Sequence, residues 1–349
     1  MSKRPVWLSI FLTLIILRVS LKGGEKTDYL QTYQNFGREQ SASLQELTNG
    51  ASKSDVVVLL SSDNMFDVYP DSPDSLKEVA EHREKLIFYR LNRQMNVIAG
   101  YKITANLTAM EEVWKASFES TKEVVMAFKE SKTPYGPRES EFTVSGKTFK
   151  KYSPAKPLLA VLTLVKEKDL MILHLINPLT GTIITSTNIA TKIPAKVPLM
   201  VFYDNAVVIG LHHGKDGKDV IILVDVCVAP EIADTSNTGA NQEVKKASES
   251  ELTYALMTTI SVEWKVLGLQ IIRADKEEYI ASVDENHNLR MIQTDKLARG
   301  GAEKTSTANS KEIKVPEGTI FRGPVNIEYD KNSKTVFLHG MDLCSLKFP

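Results

Sequence analysis

From Asp55 onward, short runs of apolar and β-branched residues return about every eight to twelve residues, with turn-forming residues between them. "DVVVLL" (Asp55–Leu60) leads through Ser61-Ser62-Asp63-Asn64 to "MFDVYP", and "KLIFYRLN" leads through Arg93-Gln94 to "NVIAGYKI", after which comes "MEEVWKASF". A polar stretch, "KESKTPYGPRESE" (Lys129–Glu141), interrupts the beat. The densest region follows it: "PLLAVLTLV", "LMILHLI", "TIITSTNI", "PLMVFY", "AVVIGL" and "DVIILVDVCV", with hairpin turns marked by Asp204-Asn205 and Asp216-Gly217. Two polar loops, Asp234–Glu251 and Ala298–Glu312, divide the remaining strand-like runs, and only Ser75–Leu86 reads as a short helix. Many short antiparallel strands at this spacing predict an all-β sandwich, barrel or propeller.

One hairpin favours the propeller. In "LHLINPLTGTIITST" (Leu173–Thr187), Asn177-Pro178 opens a turn because proline presets φ, and Gly181 supplies the positive φ that closes it. Leu170–Ile176 is apolar at almost every position, which predicts a strand buried on both faces with no reactive side chain. A strand, a D/N-x-x-T-G turn and a returning strand resemble one blade edge of a quinoprotein-like propeller. The expected fold is therefore all-β, built of quinoprotein-like β-propeller blades in a partial propeller.

The chain has 349 residues, 42% apolar and 25% charged, enough for one large or two ordinary cored domains. Its 43 basic and 43 acidic residues balance, and no Lys/Arg block is long enough to track a nucleic acid backbone. Cys227 and Cys344 are too few for a disulfide framework or a zinc site; one Cys227–Cys344 bridge is compatible with an oxidising compartment, and two buried thiols are the plainer reading. At the N-terminus, Lys3 and Arg4 precede the apolar run "PVWLSIFLTLIIL" (Pro5–Leu17), which Arg18 ends. This is the layout of a secretory signal, and the run is shorter than the roughly 20 residues that span a bilayer. Arg18 and Leu21 fit poorly at the cleavage positions, so an uncleaved signal anchor stays open. "NLT" at Asn106 is a sequon for N-glycosylation in a lumenal chain.

No catalytic, cofactor-binding or metal-binding residue is predicted. His212-His213 beside Asp216 and Asp219 have the residue types of metal ligands, but adjacent strand residues point to opposite faces, so "HHGKDGKD" reads as a hairpin loop. "DENHN" (Asp284–Asn288) lacks the calcium-loop spacing and reads as a turn. The Walker, dinucleotide, G-x-S-x-G and H-E-x-x-H motifs are missing from the sequence. Trp114 and Trp264 fall in strand-like runs and are expected in the core.

Taken in order, "DVVVLLSSDNMFDVYP", "LIFYRLNRQMNVIAGYK" with "EVWKASF", "FKKYSPAKPLLAVLT", "VPLMVFYDNAVVIGLHH", "LTYALMTTISVEWKVLGLQIIRADKEEYIASVDENHNLRMIQTDKLARGG" and "FRGPVNIEYDKNSKTVFLHGMDLCSLKFP" resemble the family of subunit 1 of the endoplasmic reticulum membrane protein complex. The resemblance spans about Asp55 to Pro349. The residues themselves set a signal peptide or signal anchor over 1–24 and a polar linker over 25–54, and the resemblance implies propeller-type strands over 55–128 and the family's C-terminal β domain over 142–349, without its terminal transmembrane helix. It further implies a non-catalytic scaffold on the lumenal side of the endoplasmic reticulum membrane. Such a subunit is membrane-associated through the other subunits of the complex and supports insertion of transmembrane segments, with no cofactor, small-molecule substrate or nucleic acid. The residues alone leave two other readings: a propeller quinoprotein enzyme, suggested by the N-P-x-T-G turn, and an unrelated secreted or lumenal β binding module.

Overall fold

The computed structural model describes residues 44–47, 56–60, 66–69, 72–92, 95–118, 122–131, 141–144, 147–151, 158–190, 194, 196–203, 205–212, 219–228, 254–274, 277–294, 310–315, 325–330, 333–339 and 343–347. The chain divides into two compact units: residues up to Leu91 together with Ile98–Lys115, and Asn92–Val97 together with Ala116–Pro349.

In the first unit, β1 (Leu44–Leu47), β2 (Val56–Leu60) and β3 (Phe66–Tyr69) form an antiparallel sheet. Helix α1 (Pro73–His82) forms where a short helix is expected over Ser75–Leu86, but starts two residues and ends four residues earlier: Pro73 suits the first helical position, and the Ser72 hydroxyl caps it by accepting from the Ser75 N–H at 3.1 Å. A second sheet holds β4 (Phe88–Asn92), β5 (Val97–Ile103) and β6 (Met110–Ser117) in that order. Val58, Val79, Leu86, Phe88, Ala99, Tyr101, Ile103 and Met110 form the core of this unit. Trp114 is buried, as the sequence predicts, and lies directly over Gly100 of β5, where any Cβ would overlap the indole.

The described residues of the second unit form four antiparallel sheets. Strands β7 (Glu123–Glu130), β10 (Leu159–Val165), β11 (Leu170–Ile176) and β12 (Ile183–Ala190) make one sheet in the order β12-β11-β10-β7. The hairpin β8 (Glu141–Val144) and β9 (Lys147–Lys151) lies between β7 and β10 in sequence. It joins the next sheet, formed by β13 (Leu199–Tyr203), β14 (Ala206–His212), β15 (Asp219–Val228) and β16 (Tyr254–Val262). Then come β17 (Gly268–Ala274), β18 (Glu277–Val283), β19 (Leu289–Gln293) and β20 (Lys311–Ile313), and last β21 (Asn326–Asp330), β22 (Thr335–His339) and β23 (Leu343–Lys347).

These sheets stack face to face. Even-numbered residues of β10 (Ala160, Leu162, Leu164) meet Val207, Ile209 and Leu211 of β14, while Ala206 and Val208 on the opposite face of β14 meet Leu269 and Ile271 of β17. β14 lies between two cores and so needs apolar side chains on both faces, which explains its apolar run from Ala206 to Leu211. The fold is all-β, made of propeller blades.

The Asn177–Gly181 turn forms as read: Gly181 has φ 70°, and its N–H donates to the Asn177 carbonyl at 2.8 Å. Two readings need correction. The polar interruption after Lys129 is followed at once by the β8–β9 hairpin. And Trp264 is not a core strand residue: β16 ends at Val262, and the indole is half-buried in the link to β17.

Candidate functional site

His174 is the one polar residue in the apolar run of β11, and it is buried, 5% exposed. The register explains its company. His174 lies opposite Ser186 of β12 on one side and Val161 of β10 on the other; Thr163 is two residues beyond Val161 and opposite Val125 of β7, and Glu123 is two residues before Val125. Because side chains two apart share a strand face, Ser186, His174, Thr163 and Glu123 form one polar row across four strands. His174 Nε2 lies 2.7 Å from Glu123 Oε2, and Thr163 Oγ1 donates to the same oxygen at 2.5 Å. His174 Nδ1 lies 2.8 Å from Ser186 Oγ. As a carboxylate, Glu123 accepts from both neighbours, which leaves Nδ1 to accept from the Ser186 hydroxyl.

A serine, histidine and carboxylate in hydrogen-bonded series is the order of a hydrolase relay. Here Glu123 and Thr163 are buried and the imidazole packs against buried Phe118, ring centroids 5.2 Å apart. Only Ser186 is exposed, and it sits within a strand rather than on a sharp turn. The arrangement ties β12 to β7 through the middle of the sheet. It was missed because Glu123 and His174 stand far apart in sequence; the available signal was a histidine in a strand with no other polar residue.

The residues singled out in sequence fall elsewhere. Asp219 is buried at the start of β15, where His212 Nδ1 lies 2.6 Å from Oδ1 and the Val266 N–H donates to Oδ2 at 2.7 Å. His213 and Asp216 lie outside the described residues, among which no three His, Cys, Asp or Glu side chains converge on a common point. Asp284 organises the "DENHN" turn: it accepts from the Asn286 and Asn288 N–H groups at 2.9 and 2.8 Å and from Arg290 Nε at 2.9 Å. Arg290 also lies over the Trp264 ring, 5.3 Å from its centroid. Burial pushes the Tyr101 phenol above its ordinary value, against the opposing effect of Arg90 beside it. Asn106 is exposed in the turn between β5 and β6, with Oδ1 2.7 Å from Thr104 Oγ1 and 2.8 Å from Thr108 Oγ1. Cys227 lies on β15 and Cys344 on β23, in different sheets, and both side chains lie outside the described residues, as does the segment 1–43.

The chain matches a known family. The model described as ER membrane protein complex subunit 1, second beta-propeller, matches residues 8–261. It starts inside the apolar run Pro5–Leu17 and ends within β16, so it begins and stops earlier than the resemblance read from the sequence. No curated protein matches the chain in sequence. Similar solved structures include BBS1N in complex with ARL6DN, at 14% identity and TM-score 0.38 over 88% of this chain and 80% of that one. The Dos1 propeller has 9% identity and TM-score 0.34 over 84% and 74%, and Drosophila Semaphorin 1b, extracellular domains 1-2, has 9% and 0.24 over 90% and 84%. Likenesses at these scores carry no functional information.

Proposed function

Because the chain belongs to the family of ER membrane protein complex subunit 1, we propose that it serves as a non-catalytic scaffold on the lumenal side of the endoplasmic reticulum membrane, binding other subunits of that complex and supporting insertion of transmembrane segments. The observation that carries this reading is the family match over residues 8–261. The blade architecture supports it, since stacked meanders present long outer edges and loops to partners. Among the described residues no helix is long and apolar enough to cross a membrane. The polar row does not contradict a scaffold role, because its histidine and carboxylate are enclosed by the sheet.

Affinity purification of the full chain from detergent-solubilised membranes tests the assignment. Recovery of a multi-subunit membrane complex is expected; recovery of the chain alone overturns it. The side of the membrane has its own test. Asn106 sits on an exposed turn with the sequon hydroxyl already against its amide oxygen, so translation into microsomes should give an endoglycosidase-sensitive mass shift that Asn106→Gln abolishes. If protease digests the unmodified domain while the vesicles are sealed, the lumenal assignment is wrong.

A further inference from the structure

Backbone groups on the outer edge of a sheet invite another strand, and proteins usually guard such edges with charge, proline or bulges. Of the strands that end a described sheet, only β12, β13 and β16 carry no charged residue. β13 packs against β7 and β17 and exposes no side chain, and Met257–Val262 of β16 likewise includes no exposed residue. β12 differs: Ile183, Ser186 and Asn188 are exposed, and no described strand pairs with its outer side. Its one irregularity lies at Ile184, so Thr185–Ala190 runs in unbroken register, a ladder about 20 Å long. At its start stand two of the large exposed apolar side chains, Leu179 (40% exposed) and Ile183 (44%).

A strand this rich in threonine and serine specifies its own register weakly, because neither face is strongly apolar. The bond from Ser186 to His174, held in turn by Glu123, supplies the missing specification from inside. Among the described residues the edge is thus both unguarded and fixed.

Building on the scaffold assignment, we infer that the outer edge of β12 docks an extended, uncharged segment of a partner protein, which adds to the sheet as a fifth strand. The chemistry of the edge defines the guest. Its main chain completes the ladder, a hydroxyl or small polar side chain meets Thr185 and Thr187 on one face and Ser186 and Asn188 on the other, and an apolar residue meets Leu179 and Ile183. A charged guest would face a neutral strand with nothing to pair its charge. A second copy of this chain is a poor occupant, since two copies joined along so short a ladder would bury well under the roughly 1,200 Å² of a stable specific interface. A segment tethered to a subunit already held in the complex does not need that area, because tethering raises its local concentration.

The test uses the full chain in its detergent-solubilised complex. Thr185→Lys with Thr187→Lys places two charges on the edge, and Thr185→Val with Thr187→Val keeps it neutral; Val113→Lys on the exposed β6 is the control for an added charge. Expected is an about tenfold loss of one partner with the lysine pair only, at unchanged melting temperature. Alternate amides of Thr185–Ala190 should exchange slowly in the wild-type complex and fast in the lysine variant. Full recovery of every partner with the lysine pair, equal loss with the valine pair, or fast exchange at β12 in the wild-type complex overturns the inference and leaves the scaffold assignment standing. Capture of a differently tagged second copy through β12 also overturns it, in favour of self-association. If the wild-type chain recovers no subunit at all, the scaffold assignment fails and this inference falls with it.

Discussion

Strand β6 turns Glu111, Glu112, Val113 and Lys115 to solvent and sends Trp114 inward over Gly100, whereas β12 shows solvent no charge and reaches inward through Ser186 to a buried imidazole. Both strands end their sheets. β6 is located by shape, because an indole lies where only a glycine leaves room, and its carboxylates and lysine discourage a further strand. β12 is located by directional hydrogen bonds, which fix register without apolar bulk on the outer strand. An edge meant to stay closed can carry charge; an edge kept open has to be held from behind.

The comparison breaks most visibly at Glu123. Glu123→Leu takes a buried acceptor from both His174 and Thr163 and should cost about 4 kcal/mol, with Glu123→Gln recovering much of it. Thermal melts of the two variants decide this, and equal melting temperatures for wild type and Glu123→Leu would show that the row does not hold the sheet. On the other side, Gly100→Ala drives a methyl into Trp114 and should cost about 3 kcal/mol, with a change in tryptophan emission as the ring shifts. A silent Gly100→Ala would remove the claim that shape locates β6. Gly181→Val strains the turn that delivers β12 to β11 and should cost about 2 kcal/mol without altering the β6 sheet. Amide exchange resolved by strand would separate the two. The smallest effect is expected from Ser186→Ala, about 0.5 to 1 kcal/mol, seen as faster exchange confined to β12. Spread of that change to β6 would mean that the two edges are not independently held.

What could be read from the sequence follows from how local each signal is. The β11–β12 hairpin was legible because Asn177, Pro178 and Gly181 act within a few residues of one another, and α1 was legible as a short helix over Ser75–Leu86, with its start at Pro73 two residues earlier than read. The two-sided burial of β11 was legible because Leu170–Ile176 has almost no polar alternation, and its residues are buried apart from half-buried Leu170 and Ile172. Trp264 misled because its run is apolar enough for a strand, while the chain turns there so that Val266 N–H can reach Asp219. The β8–β9 hairpin was obscured by lysines and by a partner, β15, that lies much later in the chain. The polar row was invisible for the same reason: its members belong to four strands, and only the register between those strands brings them together.

That β8–β9 excursion also bears on how the chain is made. The meanders β17–β20 and β21–β23 pair each strand with its neighbour in sequence, so each can close as it leaves the ribosome. β9 cannot, because Lys150 and Lys151 pair with Val228 and Cys227, and β15 is synthesised only after β10 to β14. Until then the nascent chain carries a hairpin with an unanswered edge beside a finished sheet, and closing that long loop costs conformational entropy before any ladder is gained. Lysine at the waiting positions of β9 keeps that edge soluble and unattractive to other chains for as long as the wait lasts.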